Sequence, residues 1–251
     1  MSRTALLSIA RNLLLGALAL QFGAAIARSA GLQAVEGEVA PPAVRFSGYE
    51  FAVKTCPGCG PGPNVFSAEA VRVDPAGRLH LTITRAGGHW ACGEVVLNHS
   101  LGYGEYRVKL RVPADFDPAA VFGFFTWDPT ARDLYYREFD FELSQWGQSG
   151  DPNSQMVLQP FGLEGNRVRF RLTPGPVEVS LKWSPGLLLC RAFLGGHLVQ
   201  QHRFTVGVPA TTGGERLHFN CWLYGSTQQP GFGPAEVVLD RFTFVPLRKG
   251  K

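Results

Sequence analysis

The sequence predicts an all-β protein, a β-sandwich of two antiparallel sheets with a concave outer face as the natural ligand groove. Three observations carry that expectation. Apolar and polar residues alternate strictly in several segments, clusters of Gly, Pro, Asp and Asn cut the chain into short pieces, and no convincing amphipathic helix follows the first thirty or so residues. With 251 residues, 45% of them hydrophobic, the chain can bury one large core, and sandwiches of this size are commonly single domains. Its 30 glycines and 18 prolines accompany no low-complexity repeat, so they read as turns rather than disorder.

Residues 1–27 read as a secretory leader. Arg3 and Arg11 precede the apolar run Leu13-Leu14-Leu15-Gly16-Ala17-Leu18-Ala19-Leu20, and Ala25-Ile26-Ala27 has the small-x-small form of a signal-peptidase site. An uncleaved anchor is the competing reading, because counting from Ala5 brings the apolar stretch toward the roughly 20 residues of a membrane span. Residues 28–45, rich in Ala, Gly and Pro, are expected to be a linker, and residues 46–247 the sandwich. The protein is thus expected to be secreted or periplasmic, to touch a membrane only if the leader is retained, and to be a monomer. Basic residues number 24 against 20 acidic, two of the former in the leader, and this near-balance gives no argument for nucleic acid.

From Phe46 onward, strand follows strand, about twelve to fourteen in all. Residues 106–112, 167–172 and 177–183 each have one wet and one buried face. Turns are marked at Asp74-Pro75-Ala76-Gly77, Ala86-Gly87-Gly88, Thr173-Pro174-Gly175-Pro176 and Gly195-Gly196. Five cysteines leave at least one unpaired in an oxidising compartment. Cys56 and Cys59 have the spacing of a redox or zinc motif, but no βαβ pattern or second Cys-x-x-Cys accompanies them; Cys190 and Cys221 are expected in the core.

One strand stands apart. In Arg137-Glu138-Phe139-Asp140-Phe141-Glu142-Leu143, three acids share one face and three large apolar residues the other. Carboxylates about 6–7 Å apart along a strand repel one another and push at least one pKa up, a burden a fold does not need. The bland alternative is an edge strand whose acids pair with Arg137 or Arg132. The chemical alternative is glycosidic bond cleavage, which needs a protonated carboxylic acid beside an ionised carboxylate.

These residues carry a resemblance. The Glu-x-Asp-x-Glu strand is similar to the signature of glycoside hydrolase family sixteen, the concanavalin A-like jelly-roll β-glucanases that include lichenases, laminarinases and xyloglucan transglycosylases. Ala91-Cys92-Gly93-Glu94, Tyr103-Gly104-Glu105-Tyr106-Arg107-Val108 and Gly123-Phe124-Phe125-Thr126-Trp127 precede it in the family's order. Leu181-Lys182-Trp183-Ser184-Pro185 and Phe219-Asn220-Cys221-Trp222 resemble later strands, so the likeness spans about Phe46 to Val245.

The resemblance implies a retaining endo-glycosidase acting on a β-linked glucan or similar polysaccharide. Glu138 would be nucleophile, Glu142 general acid and then base, and Asp140 would tune both. It implies that Trp222 stacks on a sugar ring, that Asn220 bonds hydroxyls beside it, and that Trp127 stacks at a neighbouring subsite, with a packed core position as the alternative for each tryptophan. Gln155 and Gln159, four positions apart on one strand and so on one face of it, are candidate sugar contacts, whereas Trp90, Trp183, His202 and His218 are expected to be structural. Lichenases bridge the cysteine of their Cys-Gly-Glu segment to one upstream, which makes Cys56, Cys59 and Cys92 the disulfide candidates, with the pairing open. No metal or organic cofactor is called for; relatives carry a structural calcium, and this sequence offers no specific cluster for it. A transglycosylase using the same site and an inactive carbohydrate-binding protein are the alternatives. An esterase or protease lacks its motif, since neither G-x-S-x-G nor H-E-x-x-H occurs.

Overall fold

The computed structural model describes residues 41–225 and 233–248. The leader lies outside the described residues, as does most of the expected linker. The strands in chain order are β1 (Ala43–Phe46), β2 (Tyr49–Val53), β3 (Cys56–Cys59), β4 (Asn64–Phe66), β5 (Val71–Val73), β6 (Leu79–Ala86), β7 (His89–Leu97), β8 (Gly104–Val112) and β9 (Ala120–Trp127). They continue as β10 (Phe139–Leu143), β11 (Ser154–Leu158), β12 (Arg167–Phe170), β13 (Gly175–Ser184), β14 (Leu187–Leu194), β15 (His197–Phe204), β16 (Arg216–Leu223) and β17 (Ala235–Pro246). Among the described residues there are seventeen strands, more than the expected twelve to fourteen, because ladders of three or four residues such as β3, β4 and β5 are too short for a pattern to be read. β1 begins at Ala43, three residues inside the expected linker, and pairs with β2.

Two antiparallel layers result. The first runs β1-β2-β7-β16-β9-β10-β11-β12 and the second β5-β6-β17-β8-β13-β14-β15. This is a jelly-roll sandwich, and alternation decides which residues lie between its layers. Phe139, Phe141 and Leu143 of β10 are at most 1% exposed. The Phe139 ring meets Trp183 edge-on at 5.3 Å and Tyr106 at 6.5 Å, both from the second layer. Each such ring contributes about 1.5–3 kcal/mol by leaving water. Trp90, Trp183, Cys190 and Cys221 are buried as expected. Two hairpins turn on glycine pairs in left-handed conformation, Gly87-Gly88 and Gly195-Gly196, which is the chemistry such tight loops demand.

β7 belongs to both layers. Residues 89–92 pair with β6, while residues 93–96 pair with β16. At the crossing stands Gly93, where an added Cβ would lie 2.5 Å from the carbonyl oxygen of Ala70. Backbone cannot yield as a flexible side chain does, so Gly93→Ala is expected to destabilise by about 1–3 kcal/mol and to lower the melting temperature by several degrees in a thermal scan.

Candidate active site

The catalytic-type strand departs from its expected start. Tyr135, Tyr136 and Arg137 have φ of 49°, 56° and 53°, so the chain turns through three left-handed residues, becomes extended at Glu138 and joins the sheet at Phe139. A tight knot holds this turn. Tyr136 stacks on Trp127 at 3.8 Å, Thr126 Oγ1 donates to the Arg137 carbonyl at 2.8 Å, and the amide of Asp128 donates to the Tyr136 carbonyl at 2.7 Å. Left-handed backbone in side-chain-bearing residues is unfavourable by about 1–3 kcal/mol each and tends to collect at functional sites. Arg137 does not pair with the acids. Its Nε reaches Asp128 at 3.2 Å and its Nη1 donates to the Ala210 carbonyl, because the left-handed turn carries the guanidinium off that face. Burial opposes ionisation of Asp128, but hydrogen bonds from Thr130 and Arg137 prevail and hold its pKa below the ordinary value.

Glu138, Asp140 and Glu142 come together on the outer face of the first layer. They line a cavity of about 420 Å³ with Gly123, Phe125, Trp127, His218, Asn220 and Trp222, and with Lys54, Gly60, Pro61 and Glu94 at one end. Register places the floor. Glu142 lies between Gln155 of β11 and Gly123 of β9, beyond which come Asn220 of β16 and Glu94 of β7. A Cβ on Gly123 would sit 2.6 Å from Asn220 Oδ1, so the missing side chain leaves room for the amide to lean over the floor.

Electrostatics single the triplet out. Burial raises Asp140 well above the carboxylate range, and the charges of Glu138 and Glu142 push it further, so it holds its proton. That proton makes Asp140 the donor in its hydrogen bond to Glu138 and steadies a charge there. Burial and the Glu142 charge lift Glu138 to about 7, against the lowering effect of that bond. Burial also lifts Glu142 to about 7, opposed by a hydrogen bond from Gln155 and by the charges of Arg167 and Arg169. One acid is thereby kept neutral between two that titrate near neutrality.

The two glutamines act on the acids. Gln155 Nε2 donates to Glu142 Oε2 at 2.6 Å, and Gln159 Nε2 approaches Asp140 Oδ2 at 3.4 Å. Gln155 Oε1 and Asn220 Oδ1 are buried and unpartnered, and of these two residues Asn220 lines the cavity. Trp222 lines the cavity and meets Trp146 edge-on at 6.0 Å; Trp127 lines it too, with one ring face taken by Tyr136.

Sequence reasoning missed the far end. His218, expected to be structural, faces the cavity, stacks on Phe125 at 4.9 Å and bonds Glu94 through Nδ1 at 2.9 Å. Lys54 Nζ donates to Glu94 at 2.9 Å and to the Gly60 carbonyl at 2.8 Å. Burial would raise Glu94, but the His218 hydrogen bond and the charges of His218 and Lys54 keep it ionised and below the ordinary value. The parity of His218 with Asn220 and Trp222 was the available signal. Cys56 bonds Cys59, closing the turn that carries Gly60 and Pro61 to the rim. Cys92 is not in a bridge: it is fully buried, its Sγ donates to Asn64 Oδ1, and burial pushes its thiol up to about 12. Among the described residues, no three His, Cys, Asp or Glu side chains are placed to hold a metal ion.

No protein-family model matches the chain, and no curated protein matches its sequence. Solved structures do match. The β-glucanase of Bacillus licheniformis is 19% identical with a TM-score of 0.60, over 78% of this chain and 92% of that one. A prokaryotic β-1,3-1,4-glucanase (lichenase) from a mouse hindgut metagenome is 20% identical with a TM-score of 0.60, over 78% and 93%. The laminarinase catalytic domain of Thermotoga maritima is 11% identical with a TM-score of 0.58, over 79% and 92%. The jelly-roll sandwich built here from strand register is therefore the fold that those three glucan-cleaving proteins share.

Proposed function

We propose that the protein is a retaining endo-glycosidase that hydrolyses internal β-linkages of a glucan or similar polysaccharide. The observation that carries this is the carboxylate row itself: a protonated Asp140 bonded to Glu138, with Glu142 beside it, on the floor of a cavity lined by two tryptophans. An open trough admits a chain in mid-length, and the unpartnered amide oxygen of Asn220 in its lining suits a hydroxyl. Lichenase and laminarinase neighbours with the same fold add support.

In this reading Glu142 protonates the departing glycosidic oxygen while Glu138 attacks the anomeric carbon, and Asp140 steadies Glu138 as its charge changes. Water activated by the ionised Glu142 then releases the sugar and restores both groups. The productive form has Glu138 ionised and Glu142 protonated. As pH falls, Glu138 takes up a proton and cannot attack; as pH rises, Glu142 loses its proton and cannot donate. With both groups near 7, kcat/KM is expected to peak near neutrality and fall on each side, as a pH-rate profile would record.

Product analysis on β-1,3-glucan, mixed-linkage glucan, galactans and bacterial exopolysaccharides tests the reading. New reducing ends in mid-sized fragments support it. Binding without cleavage favours an inactive carbohydrate-binding protein, and longer products with an added labelled oligosaccharide favour a transglycosylase.

A further inference from the structure

Beyond the three acids, on the side away from Lys54, the first layer continues through β11 to its edge strand β12. Its register sets Arg169 beside Gln155, next to Glu142, and Arg167 beside Val157, next to Asp140. Opposed residues share a face, so both guanidinium side chains rise on the side of the acids, and Arg171 follows by alternation. Their partners differ. Arg169 bonds Asp151 at 3.3 Å and the Pro152 carbonyl at 2.6 Å, and Arg171 bonds the Gly150 carbonyl at 2.6 Å. Arg167 has no carboxylate within ion-pair distance among the described residues, though its charge bears on Glu142; its guanidinium lies over the Phe161 ring at 5.4 Å. Phe161 is 55% exposed, so much of its ring stays open to solvent beside the guanidinium. It also stands next to the chemistry: its amide donates to Gln159, whose side chain meets Asp140 and whose own amide donates to the Glu138 carbonyl.

We propose that Phe161, Arg167 and Arg169 form a subsite for a sugar bearing a carboxylate or a sulfate ester, with the ring against Phe161 and the anion on Arg167. The inference rests on the glycosidase reading and narrows its substrate to an anionic polysaccharide. A guanidinium free of ion pairs, over a ring more than half exposed, suits that pairing, since guanidinium binds carboxylate and sulfate through two parallel bonds and a sugar ring stacks on the part of an aromatic ring left open. Edge protection alone would be served by charge without Phe161.

The test uses full-length Glu138→Gln protein, so that binding is read without turnover, against laminarin, C6-oxidised laminarin and sulfated laminarin. The expected result is about ten-fold tighter binding of an anionic form than of the neutral one, with most of the gain lost on raising salt from about 0.02 to 0.3 M. Adding Arg167→Gln should remove the preference. Arg111→Gln, which takes one charge from the second layer and leaves the trough alone, should keep it. A gain for the oxidised form identifies carboxylate, and one for the sulfated form sulfate. Indistinguishable binding of all three, including none, or a preference that survives Arg167→Gln, overturns the subsite. Its failure is separate from that of the glycosidase reading: neutral glucan cleaved without anionic preference sinks only the subsite, and anionic preference without cleavage by the wild type sinks only the enzyme.

Discussion

Glu138→Gln is expected to lower kcat/KM on the polysaccharide that the wild type cleaves by at least about 10⁴-fold, because an amide cannot form the glycosyl-enzyme bond and only binding and the acid remain. The substitution keeps the side chain's shape. It also removes a half-buried carboxyl whose ionisation burial and Glu142 disfavour, so thermal stability at neutral pH should hold or rise. Reducing-sugar release and a melting curve on the same preparation check both halves. Residual activity within ten-fold of wild type, in folded protein, would remove Glu138 from the mechanism.

Glu142→Gln is expected to cost about 10²–10⁴-fold on polysaccharide, the usual share of a positioned proton donor. Here the size of the loss depends on the substrate. A β-glucoside with a nitrophenolate leaving group departs without protonation, so formation of the intermediate should be nearly unimpaired, with a burst of nitrophenol before slow turnover. The alkaline limb of the pH profile should vanish with the group that titrates there. Equal loss on both substrates would contradict the assignment.

The sandwich was legible because the chain writes its layers plainly. Strict alternation in residues 106–112 and 177–183 became β8 and β13, and the glycine pairs became hairpins. The acid triplet was legible for the same reason: once Phe139, Phe141 and Leu143 enter the core, Glu138, Asp140 and Glu142 must share the other face. The left-handed turn at residues 135–137 was not legible, since tyrosine and arginine give no local sign of positive φ; tertiary contacts to Trp127, Asp128 and Thr126 impose it. The Glu94, His218 and Lys54 cluster was hidden for another reason. Its members are far apart in sequence, and only the order β2-β7-β16 makes them neighbours. The glutamines lay in between: their face could be read from alternation, but that Gln155 holds Glu142 depends on the register of β11 against β10, and Gln159, one residue past the end of β11, is set against Asp140 by its amide's bond to the Glu138 carbonyl.

The central claim, that one of two unlike carboxylates attacks carbon while the other moves a proton, fixes the stereochemistry of the first product. Proton NMR of the reducing end, recorded within the first minutes of hydrolysis and before mutarotation, reads it directly. The β-anomer appearing first is the predicted result. The α-anomer appearing first would mean a single displacement by water, and Glu138 could not be the nucleophile.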